Sequence, residues 1–209
     1  MRAFVRALRA ALVVALLVGC ADAEPSSPSP ESPPGEGVFG RAPAPVGGVP
    51  SVIMLTSQAA IDTDDAREPT MDQLGLTFLP RLLIARPGEP VHFANSETLP
   101  HNVNVRSIAG DSMVLNTDTP PGERFDFVFE EEGGYDVLCE VHPGMTAFIF
   151  VTAAPHAVFA ETDGSFHLSG VAAGEYTLTV WSIDPAARST HTIVARAAEG
   201  TEVTFVPFG

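Results

Sequence analysis

In Arg124-Phe125-Asp126-Phe127-Val128-Phe129 every second residue is a phenylalanine. That spacing constrains the fold strongly. In a strand it puts all three rings on one face, whereas a helix would turn the middle ring to its opposite side. Tyr176-Thr177-Leu178-Thr179-Val180-Trp181 repeats the pattern, with apolar residues alternating with Thr. Both segments read as half-buried strands. Further strands are expected at Leu76 to Ile84, Pro90 to Asn95, His101 to Arg106, Tyr135 to Cys139 and Ala147 to Thr152. Another set is expected at His156 to Ala160, Ser165 to Leu168, Thr190 to Ala197 and Glu202 to Val206. Turn chemistry separates them, in Arg86-Pro87-Gly88, Pro120-Pro121-Gly122, Gly133-Gly134 and Asp163-Gly164. The expected class is all-β: a Greek-key sandwich over residues 49–152, opening with the apolar run Val52-Ile53-Met54-Leu55, then a small second β-sandwich over residues 153–209. The second core, taken alone, is marginal in size, so it should pack on the first.

The N-terminus has the parts of an export signal: Arg2, Arg6 and Arg9, an apolar run from Ala10 to Val18, then small residues. The run is too short to span a bilayer. Leu17-Val18-Gly19-Cys20 resembles the bacterial lipobox, which implies removal of residues 1–19 and lipidation of Cys20. Residues 20–48, with Pro25-Ser26-Ser27-Pro28-Ser29-Pro30 and no hydrophobic period, read as a disordered or extended tether. The protein is therefore expected in a bacterial cell envelope, held to the inner or outer membrane and facing the periplasm or the cell surface.

All eleven basic residues are Arg, against 26 acidic residues, for a formal net charge of -15. A surface of that sign repels polyphosphate and anionic lipid headgroups, so nucleic acid is excluded as a partner. A docking partner should be neutral or basic where it touches, and the chain is expected to be a monomer.

The lipid would use one of the two cysteines. Cys139 is then a lone thiol in an oxidising compartment, a liability unless buried or bound to metal. Its neighbours point to metal. Cys139-Glu140-Val141-His142-Pro143-Gly144-Met145 joins two expected strands, and His101 opens another. Two imidazoles, a thiolate and a thioether are the donor set of a copper electron carrier, with the first three in a plane and the thioether weak on the axis. Zinc could take the same His and Cys residues but gains little from Met. The metal ligands expected are His101, Cys139, His142 and Met145.

Phe93-Ala94-Asn95 followed by Leu99-Pro100-His101-Asn102-Val103, with Cys139-x2-His142-x2-Met145 downstream, resembles the plastocyanin and amicyanin branch of the cupredoxins over roughly Leu76 to Thr152. The resemblance implies one type 1 copper ion, with His101, Cys139 and His142 in the plane and Met145 axial. By the same analogy Asn102 hydrogen-bonds between the two ligand loops. Thr70-Met71-Asp72-Gln73 and the C-terminal unit have no counterpart in the simple soluble carriers. With Val180-Trp181 they look more like larger exported proteins, some called methylamine utilisation proteins, that join a plastocyanin-like domain to a carboxypeptidase regulatory-like sandwich.

Four functions follow in order of expectation. The first is single-electron transfer with a redox protein that docks at the exposed edge of His142, beside Pro143 and Leu99. The second is copper sequestration, delivery or sensing. An enzyme is not expected, because His156, His167 and His191 show no paired spacing for a further catalytic copper. A docking role for the second sandwich is the last.

Overall fold

The structure is a computed structural model that describes residues 37–57, 68–196 and 200–204. The expected signal segment, Cys20 and the tether up to residue 36 lie outside the described residues. Those described form sixteen strands and one turn of 3-10 helix, Pro185–Ala187. The strands are β1 (Val38–Arg41), β2 (Val52–Thr56), β3 (Thr70–Gln73), β4 (Phe78–Leu79), β5 (Leu82–Ala85), β6 (Pro90–Asn95), β7 (His101–Ser107) and β8 (Ser112–Thr119). They continue as β9 (Arg124–Val128), β10 (Gly133–Leu138), β11 (Thr146–Val151), β12 (His156–Phe159), β13 (Ser165–Leu168), β14 (Gly174–Trp181), β15 (Ser189–Ala195) and β16 (Thr201–Thr204).

Two sheets, ordered β5-β11-β10-β7-β8 and β4-β3-β6-β9, enclose the first core. Met71, Phe78, Val91 and Phe93 from one sheet meet Val103, Val105, Val137 and Ile149 from the other. The alternating phenylalanines do what their spacing demands: Phe125 stacks on Phe93 at 5.3 Å between ring centres, and Phe127 meets Phe129 edge-on at 4.9 Å. A fully buried Phe such as Phe93 contributes about 1.5–3 kcal/mol from removal of its surface from water. Thr70-Met71-Asp72-Gln73 is β3, paired with β6 in parallel and with β4 in antiparallel, and so belongs to this sandwich.

The remaining sheets, β13-β1-β16 and β12-β2-β14-β15, form the second sandwich. Here the structure departs from the expected boundaries at residues 49 and 153. Val52-Ile53-Met54-Leu55 is β2, which lies between β12 and β14 rather than opening the first sandwich. Residues 38–41, expected in the tether, form β1, the central strand between β13 and β16. The first sandwich is therefore inserted into the second. The physical reason is two-sided burial. Ile53 and Leu55 enter the second core, while Val52 and Met54 face the other way, onto the first sandwich. A continuous apolar run suits a strand covered on both faces, and β2 has that place.

The contact between the sandwiches is aromatic. Alternation in β11 sends Ile149 into the first core and turns Phe148 and Phe150 outward, where Trp181 packs at 5.7 and 4.9 Å from their ring centres. Arg188 lies 5.1 Å over the indole. A β-carbon at Gly134 would come within 2.7 Å of the Trp181 ring, so only glycine leaves room there.

Candidate metal centre

His101 owes its position to a buried asparagine. The Asn95 side-chain amide, at the end of β6, donates to the Leu99 carbonyl at 2.8 Å and the Thr119 carbonyl at 2.7 Å, while its oxygen accepts from the Glu97 N–H at 2.9 Å. This shapes the turn from Ser96 to Pro100 and delivers His101, 2% exposed, at the first position of β7. The ring's Nε2 meets Glu97 Oε2 at 2.5 Å. With the Nε2 proton donated to that carboxylate, Nδ1 keeps a lone pair for metal. The Leu76 N–H, bound to the other Glu97 oxygen at 2.9 Å, and then the His101 ring hold the Glu97 carboxyl below its ordinary value.

Cys139 follows β10 and is buried in the first core. Its N–H donates to the Met145 carbonyl at 3.0 Å, and the Met145 N–H donates to His142 at 3.2 Å, which closes the segment into a tight loop. Gly144 takes φ 92° in that loop, a conformation that favours glycine. The loop brings His142 to the rim, half-buried, and buries Met145 in the same core cluster as Cys139.

Among the described residues, His101, Cys139 and His142 form a group whose donor atoms all lie within 4.8 Å of one another. Nδ1 of His101 and Nδ1 of His142 are 2.9 Å apart, and Cys139 Sγ is 3.8 and 3.9 Å from them. Separations of this size fit three donors converging on one ion bonded at about 2.0–2.3 Å. A thiolate with two imidazoles suits copper or zinc and not the oxygen-seeking magnesium or calcium.

Residues 67–152 match the family model of copper binding proteins, plastocyanin/azurin family. Chloroplastic plastocyanin of Chlamydomonas reinhardtii is 33% identical over 112 residues, which span 48% of this chain and 74% of the relative. This chain belongs to the plastocyanin/azurin family. Amicyanin of Paracoccus versutus is 29% identical over 77 residues, 36% of this chain and 58% of the relative. Among solved structures, amicyanin of Paracoccus versutus aligns at 26% identity with a TM-score of 0.38, covering 48% of this chain and 97% of that one. A purple cupredoxin from Nitrosopumilus maritimus aligns at 26% identity and a TM-score of 0.36, covering 41% and 100%. Membership of the plastocyanin/azurin family together with the His-Cys-His group makes the cofactor a single copper ion.

Asn102 Oδ1 accepts from the Glu140 N–H at 2.7 Å, so the strand carrying His101 is tied directly to the loop carrying Cys139. Sequence reasoning passed over four polar residues of this neighbourhood: Glu97, Asn104, Asn116 and Glu140. A carboxylate four residues ahead of His101 in a turn was the available signal for Glu97. No local pattern marks the other three. The other four described histidines stand apart from the group: His92 pairs with Asp126 at 2.6 Å, His156 lies against Tyr176, His167 against Phe39, and His191 sits in β15 opposite Leu178.

Exposed aliphatic residues gather on the same loops. Leu99 precedes His101, Val141 and Pro143 flank His142, and Leu76 is joined to the His101 turn through Glu97.

Proposed function

We propose that the protein is an exported one-electron carrier that holds its copper through His101 Nδ1, Cys139 Sγ and His142 Nδ1, with the Met145 thioether as a weak fourth ligand. The convergence of the three strong donors within one short range of distances carries this reading. Copper held by these residues would supply a Cu(II)/Cu(I) couple for exchanging single electrons with a redox partner. The chain's own residues do the rest. Glu97 fixes the tautomer and orientation of His101, and Asn102 keeps the two ligand loops from parting. A donor set held by the fold rearranges little when the charge changes, which lowers the cost of transfer.

His142, at the rim among Leu99, Val141 and Pro143, is the point of electron entry and exit. The apolar surround would shed water on docking, and the formal net charge of -15 favours a basic partner. The protein turns over no substrate of its own in this reading. The signal-like segment and Cys20 support a lipid anchor in a bacterial envelope, which a shift of Cys20→Ala to the soluble fraction would test. We assign the second sandwich to the carboxypeptidase regulatory-like type on the strength of the sequence likeness, as a spacer or docking module.

Titration of the purified protein with Cu(II) should give an intense thiolate-to-copper charge-transfer band and narrow copper hyperfine splitting in the EPR spectrum. Cys139→Ser should abolish both. A folded wild type without colour would reduce Cys139 to a structural thiol. Colour combined with slow electron self-exchange would favour copper storage or delivery over transfer.

A further inference from the structure

Between the cysteine and the rim histidine the chain carries a carboxylate, Glu140. An exposed acid on a loop is ordinarily left to water, but this one is held by three side-chain amides. Asn104 donates to Oε1 at 3.0 Å, while Asn116 donates to Oε2 at 3.1 Å and Asn102 donates to it at 3.4 Å. The strand register explains the cluster. In β7, Val103 and Val105 enter the first core, so Asn102 and Asn104 point to the opposite face, and Asn116 of β8 pairs directly with Asn104. Asn102 also donates to Asn116 at 2.8 Å, which braces the group.

The two β7 asparagines are 3% and 0% exposed. A buried amide without an acceptor costs about 1–3 kcal/mol, and hydrogen bonds to a charged acceptor are the stronger kind. The Asn104 amide has Glu140 and the Met113 sulfur, at 3.5 Å, as its acceptors. The carboxylate therefore has a built seat, reached only when the loop takes this one conformation. Its backbone N–H is fastened in the same place, to Asn102.

From this we infer that Glu140 is a positioning residue of the copper centre that also sets its reduction potential. The grip on its carboxylate fixes the Cys139 end of the ligand loop against β7. It also keeps a negative charge one residue from the thiolate, where it stabilises Cu(II) relative to Cu(I). This rests on the copper centre proposed above.

The test is the reduction potential of the copper-loaded, full-length protein in the wild type, Glu140→Gln, Glu140→Lys and Glu140→Asp. Glu140→Gln keeps the shape and removes the charge, so the potential should rise with the visible band retained. Glu140→Lys should raise it further, and Glu140→Asp should stay nearer the wild type than Glu140→Gln does. In Glu140→Ala the seat is empty, and copper affinity should fall by about 10-fold. In the copper-free protein the Asn104 side-chain amide protons should exchange slowly in the wild type and faster in Glu140→Ala. Equal potentials in a coloured wild type, Glu140→Gln and Glu140→Lys would overturn the role of Glu140 alone. A wild type that forms no copper chromophore would overturn the copper centre and this role with it.

Discussion

The two sandwiches share an architecture and differ in what they bury. The second core is built from Val38, Ile53, Leu55, Phe166, Leu168, Leu178 and Val180. The first buries Gln73, Asn95, His101, Asn102, Asn104 and Thr119, all within the strands and turns around His101. Burying a polar group costs free energy unless it is hydrogen-bonded. These groups are largely bonded to one another and to nearby carbonyls: Gln73 to the Asn102 carbonyl, Asn95 to Leu99 and Thr119, and His101 to Glu97. Among the described residues, the cluster at the centre of the second sandwich is apolar. The first accepts a polar interior at one end, where it orients donors.

Leu178→Ala, at a fully buried position in β14, should sharpen that contrast most. It should cost about 2–5 kcal/mol in denaturant unfolding and leave the copper spectrum unaltered. A changed spectrum would mean that the two cores are not separable in function. Glu97→Ala is the converse experiment. It should weaken copper binding by about 10–100-fold in competition with a chelator while the second sandwich keeps its stability.

Gly134→Ala probes the seam between them. The new methyl would collide with the Trp181 and Phe148 rings, at an expected cost of about 1–3 kcal/mol. Combining it with Trp181→Phe should recover part of that loss in a double-mutant cycle. An additive result would show that the indole is not what the glycine accommodates.

The smallest effect is in acid. Burial holds the His156 imidazole below its ordinary 6.5, so the unfolded chain takes up that proton first. The related stability is complete above pH 6.5 and falls as the pH drops toward the folded value. His156→Gln should flatten this upper step in a plot of thermal midpoint against pH. Two carboxyls act in the same direction at lower pH. The Ser165 hydroxyl and then its N–H hold Asp163 below the ordinary carboxylate value, and the Leu76 N–H with His101 does so for Glu97. Their contributions are present above the ordinary value and are lost as the pH falls through the folded one.

Much of this is legible in the sequence. β6, β13 and β14 lie where alternation put them, and β7, β9, β10 and β11 differ from expectation only at their ends. β8 escaped notice because Asn116, Thr117 and Asp118 lack an apolar rhythm: the strand's outer side is exposed and its length comes from pairing with β7. The donors could be read because Cys139, His142 and Met145 share one short loop, and His101 stands in a recognisable setting.

Local spacing determined the all-β class and the Cys139-His142-Met145 part of the ligand set with the chemistry it suits, since each depends on residues a few positions apart. His101 was legible from its own setting in Leu99-Pro100-His101-Asn102-Val103. Tertiary structure alone decided that residues 38–56 complete the second sandwich. It alone brought Asn104 and Asn116, on neighbouring strands, to the Glu140 carboxylate beside Cys139. Those outcomes depend on which strands pair and on which face of β7 meets which loop. Contacts between segments distant in the chain are selected by the free energy of the whole packed arrangement, and no short stretch of sequence records them.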